Sequence, residues 1–204
     1  DNLSTGTLQN FKNVKKKIKF IKCDLSNNNN LTKYLNKADY IFHLAGLSEV
    51  TKSLNHPNKY YAANFISTLN ILNAARNLKI RKLIYSASAS CYGNSKQIPT
   101  SEKAKIQILS PYALTKWLSE ELILKLAKKH KLPAISLRLF NVYGPRFKTI
   151  GIYSSVIGVF IRQKVKKTSF TVTGDGFQCR SFVYVSDVVN AMTKAAKSKI
   201  SGEI

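Results

Sequence analysis

Tyr112 and Lys116 are four residues apart, directly after Pro111, where a helical pattern begins. On a helix this spacing puts both side chains on one face, so a phenol hydroxyl and an amine can share one site. A nearby ammonium favours the phenolate and lowers a tyrosine pKa, which predicts an acid/base near neutral pH. Taken alone, however, the spacing favours a half-buried tyrosine beside a solvated lysine. The surrounding elements must decide between the two interpretations.

Alternating strand and helix patterns surround this pair. Apolar periodicity predicts strands over residues 17–23, 38–44, 81–86 and 134–140, with a short strand over 170–173. Helical periods fall over 27–37, 57–78, 111–130, 153–165 and 186–197. This alternation predicts an α/β fold built on a doubly wound parallel sheet, in which ligands bind beyond the carboxyl ends of the strands.

Small, acidic and basic residues follow the predicted strands at that edge. Asp24 follows the first strand, Ala45 and Gly46 follow the second, a serine-rich stretch over 86–93 follows the third, and residues 141–146 follow the fourth. Because the carboxyl ends of parallel strands meet at one edge, we expect these segments to form one site.

Composition limits the remaining classes of function. The 204 residues are 44% apolar, which suits one domain, and they carry a formal net charge of +23. That charge indicates either an affinity for nucleic acid or anionic membranes, or lysines scattered over the surface; the second fits better because no basic cluster interleaves aromatics. No apolar run spans a bilayer and no secretory leader is visible, so we expect no membrane partner. Three widely separated cysteines predict neither a metal site nor disulfides, and favour the cytoplasm.

Six segments together resemble the NAD-dependent sugar-nucleotide epimerase/dehydratase group of the extended short-chain dehydrogenases. In order, they are residues 1–6 (DNLSTG), 42–46 (FHLAG), 85–93 (YSASASCYG), 112–116 (YALTK), 139–146 (LFNVYGPR) and 174–176 (GDG) through Asp187. The resemblance covers nearly the whole chain and implies a Rossmann-like fold.

The resemblance also implies a role for each candidate residue. The catalytic set would be Ser88, Tyr112 and Lys116. NAD would be held by Asp1, Asp24, Leu25, Ala45, Gly46, Tyr112 and Lys116. The substrate, a UDP-sugar, would be held by Ser88, Asn141, Arg146 and Arg180. Each of these residues could also be an ordinary loop, turn or surface residue if it is considered singly.

The sequence departs from the family pattern at both ends. The glycine-rich loop GxxGxxG is absent, so we expect a piece of a longer protein that lacks its first two strands and cannot turn over alone. The predicted divisions are a Rossmann-like NAD-binding domain over 1–147, part of a substrate-binding region over 148–180, and a return helix over 181–204. Family members pair through the helices that correspond to 57–78 and 111–130, which implies a homodimer.

The reaction type depends on the two residues after Ser88. Sister dehydratases carry Asp-Glu there to eliminate water, whereas this sequence has Ala89 and Ser90. We therefore expect 4-epimerisation of a UDP-hexose or UDP-N-acetylhexosamine through a 4-keto intermediate. The alternatives are a nucleotide-sugar 4,6-dehydratase or related sugar-modifying enzyme, and a non-catalytic module that binds a dinucleotide or nucleic acid. No specific nucleic acid is expected.

Overall fold

A parallel three-stranded sheet, in the order β1-β2-β3, forms the centre of the first part of the chain. The computed structural model describes residues 1–27, 30–130, 132–146 and 156–204. The strands are β1 (Tyr40–His43), β2 (Lys82–Ser88), β3 (Ala134–Leu139), β4 (Asn141–Tyr143) and β5 (Phe182–Tyr184). The α-helices are α1 (Thr32–Leu35), α2 (Val50–Asn55), α3 (Pro57–Tyr60), α4 (Ser67–Ala75), α5 (Pro111–His130), α6 (Val156–Val165) and α7 (Val185–Lys197).

The central strand β2 is the most buried element of this sheet. Leu83 and Ile84 have no exposed surface and Tyr85 is 1% exposed. Such an unbroken apolar run is typical of a strand covered on both faces. In register, His43 lies beside Tyr85 on β2, and Ser88 lies beside Leu139 on β3. The ends of all three strands therefore meet at one edge, as the sequence predicts.

Helix α5 begins and ends where the sequence predicts. The Ser110 hydroxyl accepts a hydrogen bond from the backbone N–H of Ala113 at 3.1 Å, and Pro111 occupies the first helical position. Lys128, Lys129 and His130 lie in the last turn, where positive charge favours the helix dipole. This cap fixes where the helix begins, and thereby places Tyr112 and Lys116 in its first two turns.

The long helix predicted over 57–78 forms as three consecutive segments. A π-helical segment, Tyr61–Ile66, lies between α3 and α4. Of the apolar stripe predicted at Tyr61, Phe65, Leu69, Leu72 and Ala75, the last two are buried and the first three are half-buried. The polar side chains of Asn64, Ser67 and Thr68 are buried as well. On helix α5 the apolar stripe that periodicity predicts, Leu114, Leu118, Leu122 and Leu126, is half-buried. The buried face holds Ile123 among mainly small and polar side chains.

The two strands predicted over 17–23 and 170–173 are wrong. Residues 18–23 are extended but form no ladder: Cys23 donates its N–H to the carbonyl of Asp1 at 3.1 Å, and the Asp1 ammonium donates to the carbonyl of Ile21. A strand needs a neighbour to satisfy its backbone groups, and periodicity alone does not supply one. Among the described residues, the structure adds elements that the sequence did not predict, including α2, β4 and β5.

The chain divides into two compact units, one of Asp1–Leu139 with Ala191–Ile204 and one of Phe140–Asn190. The functional divisions predicted after residues 147 and 180 stay predictions. In the second unit, β4 and β5 form a parallel pair, with Asn141 beside Phe182 and Tyr143 beside Tyr184. In the first unit, Glu203 forms a parallel bridge with Ile135. In the described part of the chain, we find no helix with the length and apolarity needed to cross a membrane.

Candidate active site

Ser88 and Tyr112 lie together at the carboxyl end of β2. Ser88 is the last residue of the strand, and its hydroxyl accepts from the N–H of Ser90 at 3.2 Å, which caps the 3-10 helix Ala89–Tyr92. The Tyr112 hydroxyl is close enough to Ser88 for that side chain to favour the phenolate. The Tyr60 ring packs edge-on against Tyr112, with centroids 6.4 Å apart. The structure thus brings the predicted serine and tyrosine into one site.

The predicted lowering of the Tyr112 pKa is wrong for the protein alone. Burial raises the pKa of Tyr112 above its ordinary value, and the Ser88 side chain opposes this only in part. The Lys116 amine lies over the Tyr85 ring, 4.4 Å from the centroid. Desolvation therefore outweighs the expected effect of the lysine.

Lys116 is buried, which rules out a solvated lysine. Its exposed fraction is 7%. Burial lowers the pKa of Lys116 to about 7, and the charge of Glu120 acts in the opposite direction. The amine therefore titrates near neutral pH in the protein alone, so a small change in its surroundings changes its charge.

This burial has a measurable effect on stability. The folded-state pKa of Lys116 is about 7 against an ordinary 10.5, so between these pH values the unfolded chain binds more protons and stability rises with pH. We expect Lys116→Met to raise the free energy of unfolding at pH 6–7 by about 1 kcal/mol or more, and the gain to shrink towards pH 10. Urea unfolding across this range measures it. Lys129→Met, at an exposed position of the same helix, controls for the loss of a lysine, and a constant gain at every pH would contradict the assignment.

His43, at the end of β1, is a neutral structural histidine. Burial and the nearby Lys116 charge lower its pKa to about 3. Its Nε2 is 2.8 Å from the Thr68 hydroxyl, which itself donates to the carbonyl of Asn64 at 2.6 Å. Because the Thr68 proton is used in that way, we assign the proton of the imidazole to Nε2, which donates to Thr68 Oγ1. His43 thus has a structural partner in Thr68 of α4.

Asn64 joins the turn after β1 to helix α5, a role that the sequence did not reveal. Its Oδ1 accepts from the N–H of Leu47 at 2.7 Å, and its Nδ2 donates to the carbonyl of Leu47 at 3.1 Å and to the hydroxyl of Thr115 at 3.0 Å. A Cβ at Gly46 would lie 2.8 Å from Asn64 Oδ1. Glycine is therefore required at 46 by this close approach, and the turn beside Ala45 is held against the helix that carries Tyr112.

Asp1 and Asp24 are neighbours in the structure. The Asn2 side chain donates to Asp24 Oδ2 at 2.8 Å, and Asp1 lies against the backbone of Cys23. Hydrogen bonds from the Ser26 side chain, from Asn2 and from the Ser26 backbone lower the pKa of Asp24. The carbonyl of Leu25 accepts from Asn70 of α4 at 2.8 Å. Two carboxylates on adjacent segments can accept hydrogen bonds from a diol, which is the chemistry that a ribose offers.

The remaining substrate candidates lie in the second unit. Asn141 donates its side-chain N–H to the carbonyl of Ser181 at 2.9 Å, so the β4–β5 pair brings it near the residue that follows Arg180. Arg180 is exposed and donates to the carbonyl of Cys179. Arg146 is exposed and has a positive φ of 65°. These are polar and basic groups on neighbouring strands and turns, suited to hydrogen bonding with anionic oxygens.

Comparison with known families matches residues 3–204 to one described as "NAD dependent epimerase/dehydratase family". The chain belongs to this family. It is 35% identical over 210 residues to a UDP-N-acetyl-alpha-D-glucosaminuronate decarboxylase from Bacillus cytotoxicus. The match covers 100% of this chain and 64% of that protein. It is 34% identical to a putative UDP-glucose 4-epimerase from Methanocaldococcus jannaschii, over 98% of this chain and 65% of that protein.

Solved structures agree with the family assignment. A UDP-N-acetylglucosamine 4-epimerase from Methanobrevibacter ruminantium, in complex with UDP-N-acetylmuramic acid, superposes with a TM-score of 0.96 at 35% identity, over 100% of this chain and 66% of that chain. The predicted Rossmann-like α/β fold and the predicted family are confirmed. The family member described here spans 64–66% of the length of these relatives.

Proposed function

We propose that this protein catalyses NAD-dependent epimerisation at C4 of a UDP-hexose or UDP-N-acetylhexosamine. The observation that carries the proposal is the meeting of Ser88 and Tyr112 at the carboxyl end of β2, with Lys116 buried one helical turn further along α5. A serine hydroxyl, a phenol and an amine at one site can exchange a proton with a sugar hydroxyl. Relatives that carry 4-epimerase names support the choice of reaction.

The residues present fit parts of NAD. Asp1 suits the adenosine ribose hydroxyls, and Asp24 with Leu25, on the neighbouring segment, would flank the adenine. Gly46, where a side chain would collide with Asn64, allows the backbone near Ala45 to pass close to the cofactor. Tyr112 and Lys116 would face the nicotinamide ribose. When bound, NAD would take a hydride from C4 of the sugar and return it to the opposite face of the 4-keto sugar.

The proton transfers belong to the chain's own residues. Tyr112 as phenolate would accept the proton of the C4 hydroxyl and later return it, while Ser88 would hydrogen-bond the same oxygen. Since burial opposes the phenolate, a positive charge must offset the desolvation. Lys116, with its pKa near 7, can supply that charge in its protonated form. Asn141, Arg146 and Arg180 would bind the diphosphate and the nucleotide end of the substrate.

Epimerisation is favoured over dehydration by the residues after Ser88. Ala89 and Ser90 begin the 3-10 helix there, and neither side chain can act as the carboxylate acid/base that removal of water needs. A decarboxylase is the second candidate, because a relative of that name is 35% identical to this chain. Decarboxylation of a uronic acid would share the same oxidation at C4.

The test uses the protein expressed with all the residues its gene encodes. This protein is incubated with NAD and either UDP-glucose or UDP-N-acetylglucosamine. We expect proton NMR to show the C4 epimer, with no deuterium from solvent at C4, because the hydride is returned directly. Mass spectrometry that showed loss of water would identify a dehydratase. Release of carbon dioxide from a UDP-uronic acid, without epimers, would identify a decarboxylase.

We also propose that the protein is a homodimer. On α5, Leu114 and Leu118 are only half-buried, and on the neighbouring π-helical segment Ile66 is 38% exposed. Apolar stripes on two adjacent helices suit a second copy of the chain. Light scattering at micromolar concentration should give the mass of a dimer, and Leu118→Glu should give the monomer. Lys129→Glu, at an exposed site of α5, is the matched control. A wild-type monomer would exclude this interface.

A cytoplasmic location and the absence of a specific nucleic-acid partner are parts of the same proposal. No disulfide joins any of the three cysteines, Cys23, Cys91 and Cys179, which suits a reducing compartment. The net charge of +23 gives a general attraction to nucleic acid. We expect that attraction to vanish at moderate salt without preference for any sequence, and a salt titration with DNA measures it.

A further inference from the structure

A buried ion pair lies behind the proposed catalytic site. Arg138 of β3 and Glu120 of α5 have side chains that are 6% and 1% exposed. The guanidinium donates from Nε and Nη2 to Glu120 Oε1, at 2.9 and 2.6 Å. The hydroxyl of Ser136 donates to the other carboxylate oxygen, Oε2, at 2.7 Å. Both oxygens of Glu120 are therefore engaged, and its carboxylate has a fixed position.

Arg138 is itself held from a second direction. Its Nη1 donates to the hydroxyl of Tyr92 at 2.8 Å and to the carbonyl of Glu102 at 3.0 Å. The guanidinium also lies 4.9 Å from the centroid of the Tyr92 ring. Tyr92 closes the 3-10 helix that Ser88 caps. Since Nη1 and the guanidinium plane are held by Tyr92 and Glu102, Arg138 cannot turn away from Glu120 without losing these three other contacts.

Such a pair needs a reason beyond stability. Removing two charges from water costs free energy that their attraction often fails to recover, and apolar replacements of similar volume are often as stable. What the pair does provide is a negative charge at a defined buried place. Glu120 follows Lys116 by four residues on α5, hence on the same face. Its charge is the influence that favours the protonated amine against burial.

The other titratable groups around Lys116 do not supply that charge. His43 of β1 is neutral because it is buried. The Lys116 charge lowers the His43 pKa further, so His43 provides no charge that could offset that of Lys116. Tyr85 of β2 offers its ring face, and burial raises the pKa of its phenol, so it stays uncharged. Arg138 of β3 is positive and is balanced by Glu120. Glu120 is thus the anionic group that supports Lys116.

We propose that Glu120 is a positioning residue for the reaction: clamped by Ser136 and Arg138, its carboxylate keeps the buried Lys116 amine protonated beside Tyr112. This inference rests on the proposed function, because a charged Lys116 matters only if Tyr112 must become a phenolate. Glu120 touches neither substrate nor cofactor in this assignment; it acts through Lys116.

The test is Glu120→Gln in the protein expressed with all the residues its gene encodes. Glutamine keeps the size and one acceptor oxygen but removes the charge and leaves Arg138 unbalanced, so the protonated Lys116 is disfavoured twice. In the NAD-free protein, we would follow the titration of labelled lysine side chains by NMR, with the Lys116 signal assigned by Lys116→Arg. The titration midpoint of the Lys116 amine should lie about one pH unit lower than in the wild type. At pH 7.5, kcat should fall by about tenfold, KM should change little, and the loss of activity at high pH should begin at a lower pH.

A second variant keeps the inference falsifiable if Glu120→Gln does not fold. Glu120→Leu with Arg138→Met replaces the pair by apolar side chains, which preserves folding in comparable cases. We expect a folded protein whose Lys116 midpoint is again lowered and whose kcat is again reduced. A folded variant of either kind with the wild-type midpoint and wild-type kcat would overturn the inference. If the wild-type protein epimerises no UDP-sugar, the proposed function fails, while the Lys116 midpoints still decide whether Glu120 sets the charge.

Discussion

Tyr112→Phe should lower kcat for epimerisation by about 10²- to 10⁴-fold while leaving the affinity for NAD nearly unchanged. Phenylalanine preserves the packing of the ring against Tyr60, so the fold around α5 is kept. It removes the one oxygen that can take the proton of the sugar hydroxyl. The Ser88 hydroxyl remains, but an uncharged serine is too weak a base to replace a phenolate.

Two measurements separate the roles of Tyr112. Single-turnover rates with a UDP-sugar report the chemical step, and titration calorimetry with NAD reports binding. Tyr34→Phe, at a tyrosine that is 40% exposed, is the matched control and should behave as wild type. A Tyr112→Phe protein that retained near-normal kcat would remove Tyr112 from the mechanism, and one that lost NAD binding would make it a binding residue instead.

Arg138→Met should lower the free energy of unfolding by about 3–5 kcal/mol. The substitution leaves the carboxylate of Glu120, 1% exposed, without its cationic partner and with Ser136 as its remaining hydrogen-bond donor. It also removes the hydrogen bonds to Tyr92 and to the carbonyl of Glu102. A buried unpaired charge is among the most destabilising changes that a single substitution can make.

The chain offers a matched control on its surface. Arg81 and Asp39 form an ion pair of 3.0 Å, but their side chains are 69% and 65% exposed. We expect Arg81→Met to have little effect, because water and salt screen such pairs. Urea unfolding followed by circular dichroism measures both variants. Equal losses for Arg138→Met and Arg81→Met would show that burial does not set the contribution of the inner pair.

The sequence predicted the elements whose ends and burial are determined by residues nearby in the chain. Helix α5 has a serine cap, a proline at its first turn and basic residues at its last turn, and the structure confirms its bounds at 111 and 130. The strands at 40–43 and 82–88 follow from buried apolar runs. The strand predicted over 17–23 is wrong because a strand depends on a partner, and a local pattern carries no information about partners.

The sequence was least informative about which face of a helix is buried. The leucine stripe of α5 is half-buried, and the inner face carries Thr115, Ser119 and Glu120 instead. Periodicity shows that a stripe exists but not what covers it. The predicted direction of the Tyr112 pKa shift was wrong for a related reason. The spacing placed Lys116 on the same helix face, but only the three-dimensional structure shows how far burial outweighs a neighbouring charge. Asn64 and Glu120 had no signal in the sequence because the residues that hold them, Leu47 and Thr115 for Asn64 and Ser136 and Arg138 for Glu120, are distant along the chain.

The π-helical segment Tyr61–Ile66 has a consequence for comparing this chain with its relatives. A π turn holds one more residue than an α turn, and each residue adds about 100° of rotation to a helix. In this segment the carbonyl of Asn64 accepts from the hydroxyls of both Thr68 and Ser119, at 2.6 and 3.3 Å. A homologue without the extra residue needs its alignment gap inside this segment. A gap placed in a flanking loop would assign Tyr60, which packs against Tyr112, to the wrong side of the helix.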